Sequence, residues 1–371
     1  MKTSLLLVLC ICICACTNME QTETQLVTSD GGIKQNGEGL NIKFSAVQLN
    51  SDSAHLLANV SKVEICDTLI FVKDENGVYA FNLTGKFIST YGQKGHGQKE
   101  YISLTTFYIR DRQVVLVDSY NNTLLFFNFD GTFVNKIHID EAKDNLSLAN
   151  THDIYVLPDD RLFVSNYIYN ESNVVYTIAH SDSFKKEWEQ SVPMQTKNTM
   201  EAVGNHPLSL YKNIARYILP FSNIIYSLSE TNLEIQTSER VAEDKDIKKI
   251  TDFNITTYLD FLNNELFIGY SDIFETEDMI FLGCKNLFYT LVDKTSWQAH
   301  KYYYRVNEES REIPLYNIIS SDGKHLIGLF NPADSYSDNN IISILRSKCP
   351  EIMKRTDPVL LFYEIKSNKD D

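Results

Sequence analysis

The chain runs to 371 residues, of which 43% are apolar, 22% charged and 12% aromatic, and its formal charge is −15. That acidity removes the electrostatic footprint that nucleic-acid binding requires, so no nucleic-acid partner is expected. Of seven cysteines, only Cys66, Cys284 and Cys349 lie beyond the first sixteen residues, with no short metal-type spacing, which argues against a cysteine-bound metal.

The first residues, "MKTSLLLVLCICICAC", place one positive side chain, Lys2, ahead of an apolar core from Leu5 to Ile13. The core is too short to span a bilayer as a stable helix and reads as a signal peptide over residues 1–15. Its end, Ile13-Cys14-Ala15-Cys16, resembles the lipobox of bacterial lipoproteins. The resemblance implies that Cys16 becomes the mature N-terminus and carries diacylglycerol, holding the domain at a membrane. An ordinary cleaved signal peptide is the alternative. Residues 16–39 are polar and glycine-bearing, which predicts a flexible tether. No second apolar run of spanning length follows. Beyond the lipobox only Cys66, Cys284 and Cys349 remain. Single buried thiols are expected, with one bridged pair as the alternative in an oxidising compartment.

From residue 40 onward, short apolar runs alternate with turn residues, the pattern of an all-β chain. Asn82, Gly85 and Phe87 recur roughly 46 positions later as Asn128, Gly131 and Phe133. Each set reads as strand, turn, strand, with glycine supplying a positive φ and the aromatic returning to the buried face. Fainter copies put Phe184 and Trp297 in the aromatic position. One strand from each copy carries Phe81, Phe127, Ile178, Leu228, Leu291 and Phe362. Six units at roughly fifty-residue spacing, with four strands apiece, predict a six-bladed β-propeller over residues 40–371. The last copy lacks its outer strand, and residues 40–49 can supply it, closing the ring with strands from both chain ends. Short helical insertions are predicted within 243–263, where Ile247, Ile250 and Phe253 fall at helical spacing, and within 331–358.

"YGQKGHGQKEY", residues 91–101, lies between the last strand of unit one and the first of unit two. A phosphate loop would open a helix, whereas strands are predicted on both sides here. Gly92, Gly95 and Gly97 therefore read as an elbow between sheets. Such elbows share one face of a propeller with the loops between second and third strands. That face is expected to gather His96, Lys99, Asp118, Tyr120, Asn121, Tyr167, Tyr169, His206 and Tyr336 as candidate ligand-binding residues. Tyrosines mixed with amides and a few charges suit a glycan, a peptide or a partner protein, because each ring offers an apolar face and a polar tip. Asp118 and Asn122 could equally cap their own turn.

Catalytic constellations are scarce. No Gly-x-Ser-x-Gly or His-Glu-x-x-His occurs, and the eight histidines are scattered. Asp159-Asp160 and Glu308-Glu309 read as exposed turns. His152-Asp153, beside an inner strand, is the best candidate for acid–base or metal chemistry, with His96 behind it. No catalytic residue, metal or cofactor is assigned.

Gly92, Gly95, Gly97, Glu100 and Tyr101, a strand ending in Asp118, the pair Asn121-Asn122, and Asn128 with Gly131 together resemble the NHL-like six-bladed propeller lipoproteins of anaerobic Gram-negative bacteria. Gln98-Lys99 stand where members usually carry Pro-Gly. The resemblance covers about residues 40–366 and implies the fold and export. The expectation is a non-catalytic binding scaffold for a glycan, peptide or envelope protein, lipid-anchored in the cell envelope. The outer membrane is preferred to the inner, with the domain facing periplasm or cell surface. The alternative is a hydrolase- or lyase-type propeller enzyme using the axial channel.

Overall fold

A computed structural model describes residues 25–26, 28–35, 39–50, 56–167, 174–191, 205–220, 222, 224–228, 235–240, 269–284, 288–303, 315–332, 339–350 and 357–367. Six sheets form the blades of a propeller; each blade has four antiparallel strands, and in five blades those strands are consecutive in the chain. Blade one comprises Lys62–Cys66, Leu69–Lys73, Val78–Asn82 and Phe87–Tyr91; blade two comprises Leu104–Arg110, Gln113–Asp118, Thr123–Asn128 and Phe133–His138. Blade three comprises Thr151–Val156, Arg161–Asn166, Val174–His180 and Lys186–Ser191; blade four comprises Leu208–Tyr211, Ile214–Ile218, Ile224–Leu228 and Ile235–Arg240. Blade five is built from Asp272–Glu275, Met279–Cys284, Phe288–Asp293 and Gln298–Tyr303. Blade six takes Ile318–Ser321, Leu326–Phe330 and Val359–Ser367 from the C-terminal part of the chain and Leu40–Gln48 from the N-terminal part. The predicted closure is thus observed: Val359 pairs with Gln48 and the register runs unbroken to Ser367 opposite Leu40.

The sequence dictates this arrangement through the pleat. Successive residues of a strand point to opposite sheet faces, and a blade is covered on both. In blade one, Ile70 and Val72 pack with Ile327, Leu329, Leu360 and Phe362 of blade six. Phe71, between them in sequence, packs with Phe107, Val114, Leu116 and Phe127 of blade two. The run Leu69-Ile70-Phe71-Val72 is therefore apolar without alternation, because neither face meets water. Buried tyrosines fill the same joints. Tyr176 lies 5.5 Å from the Tyr217 ring across blades three and four, and its hydroxyl donates to the Ile218 carbonyl at 2.5 Å.

Gly85 and Gly131 adopt φ of +79° and +86° in the turns between third and fourth strands. A Cβ at Gly85 would overlap the Gln48 carbonyl, whereas at Gly131 it would lie 3.2 Å from the Thr90 carbonyl. Each turn is pressed against the outer strand of the preceding blade, so backbone freedom and close approach both call for glycine. In blades three and five the equivalent turns are a residue longer. Phe184 and Trp297 themselves occupy the positive-φ position, each at +55°, with their amides bonded to the carbonyls of His180 and Asp293. They are turn residues, a correction to the expectation that they head the returning strand.

The segment expected to be a flexible tether contributes two further strands. Gln25–Leu26 runs parallel to the outer strand of blade four, and Thr28–Gln35 runs parallel to that of blade five. The insertion in blade six carries the helix Asn339–Lys348; the helix expected within 243–263 lies outside the described residues. Among the described residues Cys66, Cys284 and Cys349 form no disulfide. No helix among the described residues is long and apolar enough to cross a membrane.

Candidate functional site

The linkers between blades and the loops between second and third strands share one face, as hydrogen bonds between them show. Asp118 ends a second strand and accepts from the Ile102 and Ser103 amides of the preceding linker, both at 3.0 Å. Asp74 does the same in blade one, accepting from Ala58 at 2.9 Å. Asn122, at φ +50°, donates to the Ile139 carbonyl at 2.6 Å and accepts from the Leu148 amide at 2.7 Å. The Tyr167 amide bonds the Asn150 carbonyl at 2.8 Å.

The glycine elbow is occupied by its own anion. Gln93–Lys94 and Glu100–Tyr101 form a short parallel pair, and the Glu100 carboxylate turns back into the loop between them. It accepts from Gln93 Nε2 at 2.6 Å and from the Gly97 amide at 2.7 Å. Those two hydrogen bonds hold the carboxyl below its ordinary range. A Cβ at Gly95 would collide with that carboxylate. The glycines make room for Glu100, and the amides that could have cradled a phosphate are taken.

The predicted ligand residues divide into three groups. His96, Lys99 and Tyr120 are exposed, Tyr120 by 77%. Asp118 is fully buried and committed to the linker amides and to Asn121 Nδ2 at 2.8 Å, so both residues serve the turn. Tyr167 and His206 each border a cavity. Cys16, Tyr169 and Tyr336 lie outside the described residues.

The larger cavity is a cleft of about 370 Å³ beside blade three, on the face just described. Its wall starts at the short helix Glu141–Asp144, whose cap Asp140 accepts from the Ala142 amide and whose end is Asn145 at φ +55°. Ser147 and Asn150 continue the wall, Asn166 and Tyr167 close the far side, and Lys186 and Glu189 form the outer edge. Amides, carboxylates, an ammonium and one phenol ring thus surround a volume within the range of small-molecule sites. Asn145, Asn150 and Lys186 carry no motif, and sequence reasoning missed them; the asparagine-rich linker was the available signal.

The second cavity, about 230 Å³, lies on the propeller axis and is lined by residues from all six inner strands. Lys62 of blade one reaches past blade two, donating to the Phe107 carbonyl at 2.8 Å, and meets Asp153 of blade three at 2.6 Å. Burial opposes the charge on both partners, but it is outweighed by the combined pull of Asp153 and Glu64 on Lys62 and of Lys62, His152 and the Thr106 hydrogen bond on Asp153: Lys62 is held above and Asp153 below its ordinary range. Thr106 Oγ1 completes Asp153 at 2.6 Å. His206 Nδ1 lies 3.0 Å from Asp272 Oδ1, linking blades four and five at the rim.

His152, the expected acid–base candidate, packs edge-on against Tyr167 at 4.9 Å between ring centroids. Its Nδ1 is buried without a hydrogen-bond partner. Burial, outweighing the nearby Asp153, pushes its imidazole down to about 4. A ring so weakly basic stays neutral at pH 7 and is a poor general base there. Among the described residues no three His, Cys, Asp or Glu side chains converge as a metal site.

The fold is shared with a solved structure. The "Putative exported protein" of Bacteroides fragilis superposes with a TM-score of 0.68 at 18% identity, covering 92% of this chain and all of that one. The virginiamycin B lyase of Staphylococcus aureus matches at TM-score 0.43 and 12% identity, over 77% of this chain and 81% of the lyase. The Pan2 WD40 domain of Neurospora crassa matches at 0.41 and 9%, over 92% and 99%. Neither of the last two bears on this chain's chemistry. No curated protein matches the sequence. Residues 40–364, the whole ring from closing strand to closing strand, match one family model, and the chain belongs to that family, the domain of unknown function DUF4934.

Proposed function

We propose that this protein is an exported propeller, anchored in the cell envelope through lipid on Cys16, that binds a glycan without transforming it. The observation that carries this reading is the cleft beside blade three. Sugar hydroxyls both donate and accept, and Asn145, Ser147, Asn150, Asn166, Lys186 and Glu189 offer both roles within one concavity. The ring of Tyr167 adds an apolar face against which a pyranose can lie. The lipobox-like residues and the exported neighbour of the same fold support the address. The likeness to the NHL-like envelope lipoproteins belongs to the same reading. Peptide and protein partners are the other occupants such a cleft accepts.

Catalysis in the axial channel is the second reading, favoured by the His206–Asp272 pair at its rim. The neutral, buried His152 speaks against it. A glycan array probed with soluble protein beginning at Thr17 tests the proposal. Retention of a related set of glycans, lost in Asn150→Ala and Tyr167→Ala, is expected, with the glycans recovered intact. Cleavage of those glycans, or protein that binds none of them while cleaving others, would replace the scaffold with an enzyme.

A further inference from the structure

The axial cavity holds an unequal count of charges. Two carboxylates converge on one ammonium: Lys62 Nζ lies 2.6 Å from Asp153 Oδ1 and 2.8 Å from Glu64 Oε1. Asp153 Oδ1 also accepts from Thr106 and the Ile154 amide, at 2.6 and 2.8 Å. Glu64 is less engaged. Among the described residues Lys62 is its one ion-pair partner, and its side chain lines the cavity with 27% of its surface exposed. Around it stand Tyr108, Tyr155, Leu210 and Phe274, with hydroxyls from Ser209 and Ser320.

We propose that the axial cavity binds a small organic ammonium, an amine on an apolar or aromatic body, with Glu64 as its counter-ion. The second carboxylate supplies the missing half of an ion pair. The aromatic walls favour a cation over a neutral solute of equal size. A formal charge of −15 attracts cations toward a concave, low-dielectric site and repels phosphates and carboxylates. Lys62 already fills the point between the two carboxylates, where a metal ion would need to sit. The site is separate from the cleft beside blade three, so either can fail without the other.

Proton linkage gives the site a signature. Burial raises the Glu64 carboxyl, against the pull of Lys62. The other titratable groups facing the cavity are Cys66 on its own strand, Tyr108 of blade two, Asp153 and Tyr155 of blade three, and His206, paired with Asp272, ahead of blade four. An arriving ammonium stabilises the carboxylate, so a protonated Glu64 releases its proton to solvent on binding, and affinity rises with pH.

The experiment measures binding of benzylamine, cyclohexylamine and n-butylamine by calorimetry and ligand-observed NMR, with benzyl alcohol and benzoate as neutral and anionic counterparts. At least one amine is expected to bind tenfold or more tightly than both counterparts, and Glu64→Gln is expected to erase that preference. In the unaltered protein, amine affinity is expected to rise from pH 5 to pH 8 while that of benzyl alcohol stays level. Equal binding of amines and alcohol, an amine preference that survives Glu64→Gln, or a level pH profile for the amine would overturn the proposal. The pH arm stands even if the variant does not fold.

Discussion

His152 offers a direct link from burial to measurable stability. The folded protein holds its imidazole at about 4, against 6.5 for the free side chain. A base whose folded pKa is depressed stabilises the fold fully above the unfolded value, and that stability drains away as pH falls through 6.5 toward 4. At 1.36 kcal/mol per unit the whole displacement corresponds to roughly 3 kcal/mol. The linkage relation places a loss of about 1.4 kcal/mol at pH 5.5 and about 2.6 kcal/mol at pH 4.5. Other groups act toward the acid end: Asp153, held below 3.8, loses stability as pH falls toward and below that value, and Glu64, held above 4.5, gains it as pH falls. The informative quantity is therefore the difference between the unaltered protein and His152→Phe, which keeps a ring against Tyr167 and removes the titration. Urea unfolding at pH 7.5, 6.5, 5.5 and 4.5 supplies it. The variant should gain on the parent by roughly 2–3 kcal/mol between the highest and lowest pH. A difference that stays constant across the series would show that His152 charges as readily folded as unfolded, and the argument from burial would be wrong.

Other substitutions probe the joints of the ring. Gly85→Ala should cost at least about 1 kcal/mol more than Gly131→Ala in chemical denaturation, because both incur the left-handed penalty but only the first meets the Gln48 carbonyl head-on. Equal losses would refute the close approach. Glu275 is buried with Arg216 and, at 3.2 Å, Lys294 as partners across blades four and five. Arg216→Met should destabilise by roughly 2–3 kcal/mol because it leaves the buried carboxylate with Lys294 alone, and adding Glu275→Leu should recover part of that. Failure of the second substitution to recover stability would contradict that account. Deleting residues 40–48 exposes one edge of the strand Val359–Ser367 and should convert monomer to aggregate in size-exclusion chromatography. An unchanged monomer with unchanged thermal unfolding would show that the ring closes by other means.

Much of the fold was legible because backbone constraints repeat with the blades. Gly85 and Gly131 announce the same turn in the first two blades, and the six strands marked by Phe81, Phe127, Ile178, Leu228, Leu291 and Phe362 are all third strands. The missing outer strand of the last blade likewise pointed to its partner at the N-terminus. Reading by aromatic spacing went wrong in blades three and five, where a longer turn moves the positive φ onto Phe184 and Trp297. Neither side chain is a residue type that favours that conformation. The site was far less legible. Asp118 looked like a loop carboxylate because its two amide partners sit in another segment, 15 and 16 residues away. Lys62 and Asp153 are 91 residues apart, and only the circular arrangement of inner strands brings them together. Glu100 was visible three residues beyond Gly97, but not the reversal that sends its carboxylate back into the elbow.

The claim at the centre of the functional account is that binding occurs at the cleft beside blade three. Hydrogen–deuterium exchange, with and without glycans retained on the array, tests it most directly. The account predicts slowed exchange in segments 141–150 and 166–167, with the turns around Arg112 and Asp160 on the opposite face unchanged. Slowed exchange confined to that opposite face, or an array that retains nothing, would contradict it.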